Sequence, residues 1–199
     1  MTVEITRRIE FDAAHRIPDH RSKCRMLHGH RYVLDVTALG GIINNPGESN
    51  HGMVIDFTDL KNVMMDTIGT PWDHALLLWD EDPLNCPEFH SILDESCASA
   101  GAAHKTVILP NVPTVENLAE AACELLQDEL DTCGISLRIS HLRLYETPNC
   151  WADIYPLYGP QQRTHTHTTD NVQELPRRIV DDDDDEEMLT RKLHEEEGP

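Results

Sequence analysis

The chain has 199 residues, of which 39% are hydrophobic, and this length suits one domain of ordinary size with its own buried core. No apolar run in it approaches the roughly 20 residues that a membrane-spanning helix needs. With 36 acidic and 16 basic residues, its net charge of −20 argues against binding to nucleic acid or to anionic membranes, which both need a basic surface. The amino-terminal segment lacks the apolar stretch of a secretory signal, so we expect a cytoplasmic protein. Six cysteines without a CxxC pair favour free thiols in that reducing compartment.

Two amino-terminal segments have the period-two pattern of strands with one face inward. In the first, alternate positions are apolar from Val3 to Phe11, and the segment leads to His15. In the second, alternate positions from His28 to Ala38 share one face. Glycine, asparagine and proline between 40 and 47 break this pattern, and an extended run at 53–57 predicts a third, hairpin-like strand.

Helical spacing of apolar residues predicts a first helix over 58–68 and a second from an N-cap at Thr114 to a stop at Gly134. The proline-rich stretch 80–112 predicts a loop-rich insertion with one helical turn and a short strand at 106–109. Two further strands are expected at 135–145 and 150–155. This order predicts an α+β domain over 1–158, an antiparallel sheet with helices on one face, followed by a polar, acidic and disordered tail over 159–199.

Three histidines are candidate metal ligands. His28 and His30 are two positions apart on a predicted strand, so both rings leave the same face about 6.6 Å apart at the backbone. An HxH pair alone fits an exposed polar strand end at least as well, but His15 at the end of the neighbouring strand supplies a third nitrogen. Three neutral imidazoles suit Zn²⁺ in a tetrahedral site with one open position.

A basic loop precedes the second strand. The segment 15–31 holds five Lys or Arg residues and one acid, which in so acidic a protein indicates an anionic ligand such as a phosphate group. The alternative is salt bridging to the acidic body or tail. Cys24 lies among these bases, four residues before His28, where positive charge favours a thiolate able to transfer protons. Its alternative is a structural cysteine.

Two carboxylate motifs complete the candidate residues. In Asp73–His74 the aspartate could orient the imidazole from a turn for proton transfer near neutral pH, although the pair alone is weak support. Glu146 ends a predicted strand and could bind an aminopyrimidine edge through paired hydrogen bonds. A solvated strand-end acid is the alternative.

Six motifs taken in order resemble the 6-pyruvoyl-tetrahydropterin synthase family. They are FDAAH at 11–15, CRMLHGH at 24–30, MVIDF at 53–57, WDH at 72–74, PTVEN at 113–117 and YET at 145–147. The resemblance covers about residues 3–156 and is closer to the 6-carboxy-5,6,7,8-tetrahydropterin synthase branch. It implies the tunnelling fold (T-fold), in which four antiparallel strands and two helices form a subunit, trimers close a barrel, and the assembly is a homo-oligomer, trimer or hexamer.

The resemblance also implies a role for each candidate residue. Zn²⁺ would be bound by His15, His28 and His30. Proton transfer would fall to Cys24, Asp73 and His74. The pterin would be held by Glu146 in a pocket lined by Thr114, Val115 and Glu116, and the basic loop would offer Arg16, Lys23 and Arg25 to phosphate groups.

The substrate implied by the resemblance is 7,8-dihydroneopterin triphosphate. Loss of triphosphate and acetaldehyde would give 6-carboxytetrahydropterin, as in the 7-deazapurine (queuosine-type) branch of the family. The motifs leave open formation of pyruvoyl-tetrahydropterin without side-chain cleavage. A non-catalytic pterin-binding protein and a metal-binding jelly-roll module also remain as alternatives of another class.

Overall fold

The computed structural model describes residues 1–98, 101 and 104–156. The strands are β1 (Thr2–His15), β2 (His28–Gly41), β3 (Ala75–Trp79), β4 (Thr106–Leu109), β5 (Arg138–Thr147) and β6 (Cys150–Ile154). The α-helices are α1 (Phe57–Met64), α2 (Thr70–Trp72), α3 (Pro87–Ala98) and α4 (Val115–Thr132), and a π-helical segment, Met65–Gly69, joins α1 to α2. The tail predicted from residue 159 lies outside the described residues. Among those described, no helix is both long and apolar enough to span a bilayer.

The sheet is mixed and has six strands, in the order β4-β3-β1-β2-β5-β6. β1 and β2 pair antiparallel over their whole length, from Thr2 opposite Gly41 to His15 opposite His28. β3 runs parallel to both β1 and β4. The expectation of four antiparallel strands is met only in part: β1, β2, β5 and β6 pair antiparallel, and β3 and β4 extend the sheet in parallel. β3 was missed because its run ALLLW has no alternation, which is typical of a strand buried within a parallel pairing.

Two local predictions also need correction. The segment 53–57 is not a strand: Asp56 is the N-cap of α1, and its carboxylate accepts the Thr58 N–H at 2.7 Å. Between 80 and 112 the structure has a helix of 12 residues, α3, where one turn was expected. The short strand predicted at 106–109 is confirmed as β4.

The hydrophobic core lies on one face of the β1–β2–β5 part of the sheet, under α1 and α4. Alternate residues of β1 and β2, such as Phe11 and Leu34, pack there with Leu60 of α1 and Leu126 of α4. Strand side chains alternate between faces, so the core-facing side chains of β1 continue to His15 at its last residue. Those of β2 begin with His28 and His30. The fold thus places the histidines at the end of the core and on its side of the sheet.

Candidate active site and metal centre

The three predicted histidines converge. His15 is directly opposite His28 across the β1–β2 ladder, and His30 is opposite Ala13. One ligand nitrogen from each ring lies within 4.8 Å of the other two. Gly29 between the two β2 histidines permits this close pairing, since a Cβ there would lie 2.9 Å from the Ala13 carbonyl oxygen. The site thus needs glycine at the centre of HGH.

Backbone carbonyls orient two of the rings. His15 Nδ1 lies 2.7 Å from the Pro113 carbonyl oxygen, and His28 Nδ1 lies 2.8 Å from that of Met26. A carbonyl oxygen only accepts, so both Nδ1 atoms carry the hydrogen and both Nε2 atoms present a lone pair. This is the arrangement by which proteins orient metal-binding imidazoles.

The burial of the rings also suits a metal. Nε2 of His15 and Nε2 of His30 are buried without a hydrogen-bond partner within the described part of the chain. Burial lowers the pKa of His15 to about 4. The hydrogen bond to Pro113 raises this pKa by a smaller amount, and the neighbouring His28 and His30 lower it further. Burial likewise lowers the pKa of His30. Neutral imidazoles with unshared lone pairs are the ligands that Zn²⁺ requires, so the donor set fits that ion.

Glu146 lies beside this cluster. Its Oε1 is 3.6 Å from His15 Nε2 and 4.0 Å from His30 Nε2. The β5–β6 register shifts between Tyr145 and Thr147, which leaves Glu146 outside the regular ladder at an irregularity of the kind that redirects side chains near active sites. The Glu146 carboxylate therefore lies next to the ligand nitrogens but is too far from them for a hydrogen bond.

A cavity of about 570 Å³ opens over Glu146. Its wall includes Thr114, Val115 and Glu116, where Thr114 is the N-cap of α4 and Glu116 is in its first turn. Because His15 holds the Pro113 carbonyl, the start of α4 is fixed relative to the histidines. The remaining wall residues, which the sequence pattern did not single out, are Ile17, His20, Asn149, Cys150 and Trp151.

Asp73 and His74 form the predicted pair, in the turn between α2 and β3. His74 Nδ1 lies 2.7 Å from Asp73 Oδ2, and the other Asp73 oxygen accepts the Asp12 N–H at 2.9 Å. That backbone hydrogen bond, with smaller contributions from His74 and Lys105, lowers the pKa of Asp73. The neighbours can meet side chain to side chain because His74 has a left-handed backbone, φ 55, which breaks the alternation of extended chain.

The pair does not share the Glu146 cavity. His74 is 79% exposed at its side chain and lines a second cavity, of about 820 Å³, together with His30, Lys105 and residues of α3. Cys24 lies in a single 3-10 turn, Lys23–Arg25, and the residue is half-buried. Its backbone carbonyl accepts the Ile17 N–H at 2.9 Å. Cys24 is not a wall residue of either cavity. One chain therefore brings together the histidines and Glu146 but holds His74 apart from that cavity.

The basic residues of the loop differ in their contacts: some form ion pairs and others are exposed. Arg16 makes two 2.9 Å contacts to the carboxylate of Asp82, whose side chain is fully buried, so the salt-bridge alternative applies to it. One edge of its guanidinium is thus engaged by Asp82, and a role for Arg16 in binding phosphate stays a prediction. Arg31 is likewise bonded to Asp12 at 3.0 Å. Lys23 and Arg25 remain exposed on the 3-10 turn.

Comparison with known proteins places this site in context. A 6-carboxy-5,6,7,8-tetrahydropterin synthase from Rickettsia felis is 37% identical over 152 residues, covering 76% of this chain and 99% of that protein. One from Haemophilus influenzae is 31% identical over 150 residues, covering 75% and 96%.

Solved structures show the same fold. An uncharacterised protein from Wolinella succinogenes has a TM-score of 0.59 at 23% identity, covering 78% of this chain and 98% of that chain. The 6-pyruvoyl tetrahydropterin synthase of Caenorhabditis elegans has a TM-score of 0.52 at 24% identity, covering 79% and 97%. The family model of 6-pyruvoyl tetrahydropterin synthase matches residues 4–157, and the chain belongs to that family.

Proposed function

We propose that the protein is a zinc-dependent 6-carboxy-5,6,7,8-tetrahydropterin synthase that acts on 7,8-dihydroneopterin triphosphate. The observation that carries the proposal is the position of Glu146, 3.6 Å from the orphaned Nε2 of His15 and at the wall of a cavity. A carboxylate can accept two hydrogen bonds from the aminopyrimidine edge of a pterin. The substrate side chain would then extend toward the three imidazoles. Relatives named for this activity support the choice of branch.

Each residue has a defined chemical task in this proposal. Zn²⁺ held by Nε2 of His15, His28 and His30 would supply Lewis-acid polarisation of the substrate side-chain hydroxyls. Asp73 accepts the Nδ1 hydrogen of His74, which leaves the His74 Nε2 lone pair free to take a proton. Cys24 would act as the second proton-transfer group. Lys23 and Arg25, on the same turn, would meet the triphosphate.

A homo-oligomer is part of the proposal. His74 and Glu146 lie in different cavities of one chain, and His74 is largely exposed. A second copy that presented its Asp73–His74 pair to the Glu146 cavity would complete the site. We therefore propose that the trimer or hexamer implied by the family is the active form.

Product analysis tests the proposal. Purified, metal-analysed protein is incubated with 7,8-dihydroneopterin triphosphate, and the products are separated by chromatography. We expect acetaldehyde, triphosphate and 6-carboxytetrahydropterin in equal amounts. Pyruvoyl-tetrahydropterin without acetaldehyde would establish the other branch. Binding without any turnover would establish a pterin-binding protein instead.

A matched pair of cysteine variants tests the assignment of the thiol. Cys24→Ala should lower turnover by about a hundredfold, in the range expected for loss of a general acid or base. Cys86→Ala is the control, since Cys86 is also half-buried and free. Full activity of Cys24→Ala would remove Cys24 from the mechanism while leaving the histidine site untouched.

A further inference from the structure

Lys105 holds the turn that carries the Asp73–His74 pair. It stands at the entrance to β4, after α3, and its Nζ donates to the carbonyl of Asp73 at 2.6 Å and to that of Thr70 at 2.7 Å. Thr70 is the first residue of the one-turn helix α2 and Asp73 is its C-cap, so both carbonyls lie within the last turn, where backbone acceptors have no intrahelical donor. A lysine at a helix carboxyl end is favourable for this reason and for its charge.

The peptide bond between Asp73 and His74 is held from both sides. Its carbonyl oxygen accepts from Lys105 Nζ, and its N–H donates to the Asp12 carbonyl at 2.6 Å. This is the peptide that leads into the left-handed backbone of His74, a conformation that is unfavourable for a residue with a side chain. The surrounding contacts must maintain it, and Lys105 supplies one of the two on this peptide.

The backbone of Lys105 is fixed to the same segment. Its carbonyl accepts the Leu76 N–H at 2.8 Å, where β3 and β4 begin their parallel pairing. The lysine is therefore attached two residues beyond His74 through its main chain and one residue before it through its side chain. Lys105 thus contacts the backbone on both sides of His74. It belongs to the 80–112 insertion, in which we predicted no functional residue.

We propose that Lys105 is a positioning residue, which orients the Asp73–His74 pair for proton transfer without contacting the substrate. The claim rests on the proposed function for the role of that pair, but the positioning itself is independent of turnover. Lys105 acts by holding the carbonyl of Asp73, so that the Asp73 carboxylate faces His74 Nδ1 and His74 Nε2 faces outward.

Lys105→Met tests this by removing the ammonium donor while keeping the length of the side chain. We expect kcat to fall at least about tenfold and KM to stay within about twofold, because a misplaced proton-transfer group affects the transition state and not substrate binding. Lys105→Arg, which retains donors, should recover part of kcat. Lys61→Met on α1, also an exposed lysine, is the matched control and should leave both constants unchanged.

A second measurement does not depend on activity. The His74 amide, bonded to the Asp12 carbonyl, should exchange its hydrogen about tenfold faster or more in Lys105→Met, and unchanged in Lys61→Met. Unaltered exchange would overturn the proposal, as would a rise in KM at constant kcat, which would make Lys105 a substrate contact. If the wild type lacks turnover, the proposed function fails, and the exchange rate still decides the role of Lys105.

Discussion

At the scale of single residues, the histidine cluster depends on the pairing of β1 with β2 and on two backbone carbonyls that orient its rings. His28 and His30 had to share a face because of their spacing on a strand, and pairing with β1 then brings His15 opposite His28. The spacing could not reveal that Pro113 and Met26 orient the rings, because backbone carbonyls carry no sequence signal. The bonding partners of charged groups were equally hidden, so the sequence left open whether Arg16 meets a phosphate group or an acid such as Asp82.

A buried thiol predicts the response of the protein to alkali. Burial in the core, reinforced by Glu124 and Glu120, raises the pKa of Cys123 from 9.0 to about 11. Between these two values the unfolded chain binds fewer protons than the folded one, so the free energy of unfolding falls as the pH rises, by about 2–3 kcal/mol in all. Below the lower value Cys123 makes no pH-dependent contribution.

Urea unfolding across the alkaline range measures this effect. Cys123→Val, which cannot ionise, should lose less stability over that window than the wild type. Cys150→Val is the control, because Cys150 is exposed, and it should follow the wild type. Parallel pH curves for Cys123→Val and the wild type would contradict the prediction.

At the scale of elements, the amphipathic helices and alternating strands were predictable, and the β3–α3–β4 segment was not. α1, α4, β1 and β2 have clear apolar periods, whereas β3 is uniformly apolar and α3 has no buried residue in its described part. A helix without a buried stripe leaves little periodic signal. The prolines around it suggested a loop, yet Pro87 is simply its first residue, where proline is well tolerated.

A buried ion pair anchors the loop between β3 and α3. The Asp82 side chain is fully buried, bonds Arg16 through both oxygens and also accepts the Leu84 N–H at 2.8 Å. Asp82→Ala would leave the partly buried guanidinium of Arg16 without its counterion, and we expect a loss of about 3–5 kcal/mol in the free energy of unfolding.

Urea denaturation tests this with a neighbouring control. Glu81→Ala removes an exposed carboxylate one residue earlier and should change stability by less than about 0.5 kcal/mol. A loss below about 1 kcal/mol for Asp82→Ala would show that the pair contributes little, and would return Arg16 to the set of residues available for an anionic ligand.

At the scale of the whole molecule, the proposed site residues of one chain lie in two cavities. The Glu146 cavity holds the pterin-binding candidates, and the second cavity holds His74. The family resemblance implied a homo-oligomer, and no residue pattern did. An interface between identical chains produces no periodic pattern in a single sequence. The separation of the two cavities supports the same conclusion from geometry.

Complementation tests whether two copies build each site. Cys24→Ala and His74→Ala chains, each inactive alone, are mixed, unfolded and refolded together. If the Cys24 and His74 of one site come from different copies, about a quarter of the sites regain both groups. Refolding each variant alone is the control. No recovery in the mixture would mean that each chain supplies both residues to its own site.

The central claim is that the three imidazoles form a zinc site beside Glu146, and anomalous diffraction at the zinc edge tests it most directly. Crystals of the protein purified with Zn²⁺ should show one peak per chain, about 2.0–2.1 Å from Nε2 of His15, His28 and His30. A zinc peak elsewhere would contradict the account. So would crystals grown with excess zinc in which the His15 and His30 rings do not face a common point.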